Sequence, residues 1–357
     1  MKRSDLPEGA GPAEPTAATA ATARSRHGRL GALLAAVACC LVGASFTANS
    51  VLGDYPLAGG QALRYGLACV LLLPLAARGE PVRAPLRALS GRQWGRLAAL
   101  AAVGMVGFNL AVLAAEGSAE PAVPGVFVGC APVAVAVIAP ALDGRRPAPA
   151  VVAGALSVAA GAFVVLGWGR TDTAGLLWSL GALVGEVGFA VLAVPVLRPL
   201  GPRLLSAAAC GLAAVESALL GLVLDGGGWL RTPDGGEAAA LLWQGVVVTV
   251  VGFVCWYVGV QRIGAERATL FSGLIPVSAA ATAPLVGTGG YGPAQAGGSL
   301  LVGLGVALGS GVLGTASGRS AAAVQDHGGD GRGVVDHADT AAAGEADQPG
   351  PGDHGPG

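Results

Sequence analysis

From Gly31 onward the sequence is a succession of apolar runs, broken by short connections that carry nearly all of its charge. Each run is about 20 residues long, the length an α-helix needs to cross the ~30 Å hydrocarbon core of a bilayer. Ten runs fit, over residues 31–52, 57–76, 97–115, 121–142, 149–168, 175–197, 204–224, 240–260, 264–286 and 294–316. Backbone polar groups find no partner in lipid, so such runs must close their hydrogen bonds internally, as helices. The glycines and prolines inside them are compatible with that, since membrane helices tolerate both. Charged residues make up 12% of the chain, against about 25% in a soluble domain. That scarcity excludes most soluble enzymes, a disordered chain and a secreted disulfide scaffold. A net charge of −1 leaves no basic stripe for nucleic acid. The first run is too long for the apolar core of a signal peptide and has no small-residue cleavage motif, so it reads as the first membrane helix.

The connections test this map independently. Basic residues crowd the cytoplasmic side of membrane proteins. Of the 21 lysines and arginines, 18 fall in the two tails and in or just beside the even-to-odd connections. Only Arg170 and Arg231 fall on the other side, and Arg64 lies within a run. A missed or extra helix would scramble that alternation. The expected orientation is therefore both termini in the cytoplasm, in a multi-pass protein of the plasma membrane. The stretches 1–30 and 317–357 read as disordered cytoplasmic tails. The last contains no Leu, Ile, Met, Phe, Tyr or Trp with which to build a core.

The chain also repeats itself. At a shift of 144 residues, Phe127, Gly129, Pro132, Val133, Ala136, Ala139 and Pro140 fall on Phe271, Gly273, Pro276, Val277, Ala280, Ala283 and Pro284. The same shift carries Pro149, Gly154 and Gly161 onto Pro293, Gly298 and Gly305. A shift one residue longer sets Val106-Gly107-Phe108 on Val251-Gly252-Phe253. Two halves follow, 31–168 and 175–316, each of five helices. An odd number turns the second half upside down relative to the first. Inverted repeats are a mark of secondary transporters, in which the halves exchange conformations around a central site. The expected fold is thus an all-α membrane protein, ten transmembrane helices arranged as two inverted five-helix repeats around a central cavity.

The residues Gly252-Phe253-x-x-Trp256-Tyr257, Gly264-Ala265-x-Arg267-Ala268 and Pro276-Val277 carry the clearest family resemblance. Leu63-Arg64-Tyr65 and Pro132-Val133 echo it in the first half. Together with the duplication, they make the chain similar to the EamA-type family of the drug/metabolite transporter superfamily over about residues 31–316. The resemblance implies a basket of ten helices whose cavity is lined mainly by helices 1, 3, 4, 6, 8 and 9. It also implies export of small metabolites, amino acids or drugs. An acidic residue often follows helices 4 and 9 in that family; Asp143 partly fills the first position and residues 287–290 leave the second uncharged.

Charges inside a span are costly, about 2.5–3.5 kcal/mol at the helix centre on insertion scales, so each needs a reason. Glu186 sits at the midpoint of helix 6 among small residues, and an apolar setting favours the neutral carboxyl. It is the candidate for proton coupling, and its stretch resembles the first helix of small multidrug-resistance transporters. Arg64 and Glu216 lie at similar depth and are expected to form an intramembrane charge pair or gate. Asn49, Asn109, Phe127, Trp256, Tyr257 and Ser272 are candidates for lining the substrate cavity. Pro132 and Pro276 each remove a helix hydrogen bond and are expected to act as hinges. Gly305 and Gly309 suit close packing against helix 5 or a second subunit, so a homodimer is one expectation. Small solutes and the lipid bilayer are the expected partners.

No cofactor or metal is expected. All four histidines lie in the tails, and the six cysteines are scattered through apolar runs with no zinc-site spacing. No H-E-x-x-H, G-x-S-x-G or P-loop occurs, which argues against an enzyme. A cofactor-free lipid-modifying enzyme and a channel stand as the alternatives to a carrier.

Overall fold

The computed structural model describes residues 17–52, 55–78, 82–116, 118–119, 122–167, 171–282, 284 and 290–311. The expected tail 317–357 and residues 1–16 lie outside them. Among the described residues the regular structure is helical, with one isolated bridge between Ala119 and Thr171. In the first half the helices are α1 (Ala17–Leu52), α2 (Leu57–Ala77), α3 (Arg83–Ala88), α4 (Gly91–Ala101), α5 (Phe108–Glu116), α6 (Ala122–Gly129), α7 (Ala131–Leu142) and α8 (Pro149–Leu166). The second half holds α9 (Thr173–Leu224), α10 (Gly235–Leu242), α11 (Gly252–Ile263), α12 (Ala265–Thr269), α13 (Leu274–Thr282) and α14 (Pro293–Ser310). Helix α1 starts at Ala17, so residues 17–30 of the expected tail continue the helix instead. The Ala-rich stretch before Arg24 favours that by propensity.

Seven segments among the described residues are long and apolar enough to cross a membrane. One of them, α9, has 52 residues, more than twice what a single crossing of ~30 Å needs at 1.5 Å per residue. It breaks at Gly201, whose φ of 70° and ψ of 167° are not helical. Pro199 and Pro202 flank the break, and a positive φ at that point suits only a residue without a Cβ. The outer surface is apolar: Val223 is 81% exposed and Leu300 71%. A surface of that kind is at home in lipid rather than water.

The expected helices 3, 4, 8 and 9 are not continuous α-helices. A π-helical stretch, Ala102–Gly107, joins α4 to α5, and a second, Trp243–Val251, joins α10 to α11. The 145-residue offset places the C-terminal ends of these stretches within one residue of each other. Cys130 interrupts the fourth expected span between α6 and α7, and a 3-10 turn, Leu270–Gly273, interrupts the ninth before α13. Pro132 and Pro276 therefore stand in the first turns of new helical segments. There the missing N–H breaks no helix hydrogen bond, so each interruption falls just ahead of its proline.

Packing follows the repeat. Helix α1 packs on α11 and α13, while α9 packs on α4, α5 and α6. Helices α8 and α14 run antiparallel at close range. A Cβ on Gly154 would lie 2.6 Å from the Gly305 carbonyl oxygen, and one on Gly161 2.7 Å from that of Gly298. The Gly305-Gly309 face is thus taken up within the chain, by α8, rather than left for a second subunit. The buried core, including Leu97, Leu100, Met105, Val196, Leu205, Val260 and Ala268, gathers at the end of the bundle that bears the basic connections.

Candidate functional site

At the rim of that core, α1, α9, α11 and α13 leave a cavity of about 70 Å³. Its walls include Cys39 and Val42 from α1, Glu186 and Phe189 from α9, Phe253 and Trp256 from α11, and Ile275 from α13. Both halves of the chain therefore line it. Glu186 is the one ionisable carboxyl among the lining residues. The space has room for only a few waters, far below the ~300 Å³ of a typical small-molecule pocket. In this conformation the cavity is pinched.

The pinch is aromatic. Phe189 lies one helical turn beyond Glu186 on α9. Its ring centroid is 5.3 Å from that of Phe253, 5.6 Å from Tyr257 and 6.4 Å from Trp256. Tilted and offset pairs at these separations are favourable beyond the area they bury. The Trp256 indole Nε1–H is buried with no hydrogen-bond partner, as is the Tyr257 hydroxyl. An unpartnered donor on the wall of a cavity can offer a hydrogen bond to an acceptor that enters.

The other expected cavity residues divide. Asn109 donates to the Tyr65 hydroxyl at 3.2 Å and to the Met105 carbonyl at 2.7 Å, which ties α5 to α2. Ser272 is buried and donates to the Thr269 carbonyl of its own segment. Phe127 is half-buried and is not among the cavity's walls. Asn49 lies in α1, but its side chain is outside the described residues. Phe189 was not expected, although its spacing of three from Glu186 puts it on the same helix face.

Arg64 and Glu216 do not form an ion pair. The Arg64 Nε donates instead to Thr249 Oγ1 at 2.8 Å, and its guanidinium carbon lies 5.2 Å from the centroid of the Tyr65 ring. Thr249 in turn donates to the Gln244 carbonyl within the π-helical stretch. Similar depth along two helices does not fix the direction of the side chains. Here Arg64 reaches toward the π-helical stretch, while Glu216 Oε2 is buried without a partner.

Among the described residues, two ion-pair groups stand at the ends of the bundle. Arg145 donates to Glu266 at 2.6 Å and Asp143 at 3.1 Å, joining the α7–α8 connection to α12. Those carboxylates raise its guanidinium above the ordinary value. At the opposite end, Arg231 makes a two-pronged pair with Glu237 and stacks 4.7 Å over Tyr55. The Tyr55 hydroxyl donates to the Arg231 carbonyl at 2.6 Å. Burial raises the Tyr55 phenol above its usual value.

With this geometry in hand, known proteins give a consistent picture. A solved protein crystal structure aligns with a TM-score of 0.67 over 78% of this chain and 96% of its own, at 24% identity. That likeness speaks for the fold alone. No curated protein sequence matches the chain. The profile of the EamA-like transporter family matches twice, over residues 29–167 and again over 173–311. The chain is a multi-pass membrane protein, and it belongs to the EamA-like transporter family.

Proposed function

We propose that the protein is a secondary active transporter that moves a small organic solute by alternating access, with Glu186 exchanging a proton in the cycle. Its ten spans form two inverted five-helix halves, with α9 supplying the sixth and seventh spans on either side of Gly201. Both termini face the cytoplasm, and the direction is export across the plasma membrane. Pro132 and Pro276 act as matched hinges where the fourth and ninth spans are interrupted. The reading is transport rather than catalysis.

One observation carries the proposal: Glu186 stands on the wall of a cavity built from both halves. A group so placed can meet a solute from either side as the halves exchange conformations. The cavity is too small to hold a metabolite in the present conformation, so loading requires movement of the aromatic cluster. Support also comes from the antiparallel packing of the matched helices α8 and α14, as an inversion requires.

The test begins with a comparison of metabolites exported by cells with and without the protein, which supplies a substrate. Uptake driven by a pH gradient is then measured in proteoliposomes. Glu186→Gln is expected to abolish the response to the gradient. Gradient-driven transport at the wild-type rate in that variant would end the proton-coupling proposal.

A further inference from the structure

Three buried polar oxygens stand without a hydrogen-bond partner in the seam between α2 and the second half of α9: Gln61 Oε1, Glu216 Oε2 and Ser217 Oγ. Gln61 is 9% exposed and Ser217 is fully buried. The close approaches along the seam fix its register. A Cβ on Gly221 would lie 3.1 Å from that of Ala58, one on Gly66 3.9 Å from that of Ala214, and one on Gly211 3.2 Å from Cys69 Sγ. The numbers rise on one helix as they fall on the other, so the helices are antiparallel. Gln61 on α2 therefore comes to the level of residues 218–219 on α9, within one helical turn of Glu216 and Ser217. This seam is separate from the cavity at Glu186, whose walls include neither α2 nor this half of α9.

Of the three, only the Ser217 hydroxyl can donate, and one O–H cannot serve both Gln61 Oε1 and Glu216 Oε2. An amide oxygen only accepts, and an ionised carboxylate only accepts. Ionised Glu216 would leave a negative charge at membrane depth with no cation beside it. The titratable groups toward this seam are Arg64, Tyr65 and Cys69 on α2, Tyr257 on α11, Cys210 on α9 itself, and, at the Gly60 end, Tyr55 with the Arg231–Glu237 pair stacked on it. The two cations among them are engaged elsewhere, Arg64 with Thr249 and Arg231 with Glu237. A proton changes the balance at once: it removes the charge and turns the carboxyl into a donor.

We propose that Glu216 is a second proton-binding site, outside the cavity, where a neutral carboxyl gives its O–H to Gln61 across the α2–α9 seam. This inference does not rest on the transport reading, and its test needs no substrate. Infrared spectra of the full chain in liposomes report the C=O stretch of protonated carboxyls, identified by its shift in heavy water. At neutral pH a buried-carboxyl band is expected that survives Glu186→Gln and is lost in Glu216→Gln. Glutamine resembles the neutral acid in shape, so Glu216→Gln should melt at the wild-type temperature. As a second variant, Gln61→Leu removes the acceptor and should move the band to higher frequency. No band assignable to Glu216 at neutral pH overturns the proposal. So does a band unmoved by Gln61→Leu, or one that vanishes when sodium replaces potassium, which would mark a metal-cation site instead.

Discussion

Ser157 on α8 donates a hydrogen bond to the main-chain oxygen of Leu301 on α14 at 3.0 Å, and the two residues are separated by 144 positions. That is the offset at which the two halves of the sequence align. Contact between a residue and its own counterpart occurs where a symmetry axis passes. The flanking glycines fit the same arrangement. Gly154 meets Gly305 and Gly161 meets Gly298, and exchanging the halves turns one contact into the other. Because α8 and α14 are antiparallel, an axis relating them crosses the helices rather than running along them. We read this seam as the pivot of the proposed inversion.

The seam has no space for side chains at its glycines. Gly154→Val would drive a branched side chain into the Gly305 backbone and should destabilise the protein by roughly 1–3 kcal/mol, the usual cost of overpacking. Gly303→Ala, on the open face of α14 with nothing within 4 Å, should be near neutral. Thermal melting in detergent compares the two.

Thr249 is the partner that Arg64 needs inside the membrane. Thr249→Val keeps the shape but removes the acceptor, leaving a guanidinium short of a hydrogen bond. The expected loss is about 1.5–3 kcal/mol, as for other hydrogen bonds to charged groups. If the variant melts with the wild type, Arg64 is satisfied by some other group.

Tyr55 gives a pH dependence whose sign is fixed by its burial. The folded phenol titrates above the unfolded value of about 10. Its contribution to stability is therefore complete below the unfolded value and is lost as pH rises through the folded one. Tyr55→Phe should cost about 1 kcal/mol at neutral pH, from the lost bond to the Arg231 carbonyl. The gap to the wild type should close in melts recorded above about pH 10.

Arg145 fastens the α7–α8 connection to α12 at the end of the bundle where the core is packed. Both it and Asp143 are more than half exposed, so the fold itself should tolerate Arg145→Ala. The effect is expected in conformation. With Cys39 as the sole cysteine, a membrane-impermeant thiol reagent applied from the basic side should label the buried cavity wall several-fold faster in Arg145→Ala. Equal labelling rates would mean that the ion pair does not hold that end closed.

Much of the architecture was legible in the sequence because hydrocarbon leaves little choice. Long apolar runs must be helices, and the repeated glycines and prolines that mark the two matched halves are one-dimensional facts. The position of Glu186 could be read the same way, since a carboxyl at the middle of an apolar helix is conspicuous wherever it points. Its place on a cavity wall could not, because it depends on four helices from distant parts of the chain.

The side-chain partners were decided only in three dimensions. Helix depth suggested that Arg64 would meet Glu216, but rotation about α2 and the displaced backbone of a π-helical stretch gave it Thr249. Ser272 looked like a cavity residue until its hydroxyl turned back to its own segment. Phe189 became part of the aromatic pinch because rings from α9 and α11 converge there. The sequence by itself determined the helices, their apolar surfaces and the twofold pattern, since these follow from hydropathy and spacing. The tertiary structure decided which polar groups are paired and which are left unpaired. Such pairing depends on distances of a few ångströms between residues far apart in the chain, and periodicity along one helix carries no record of them.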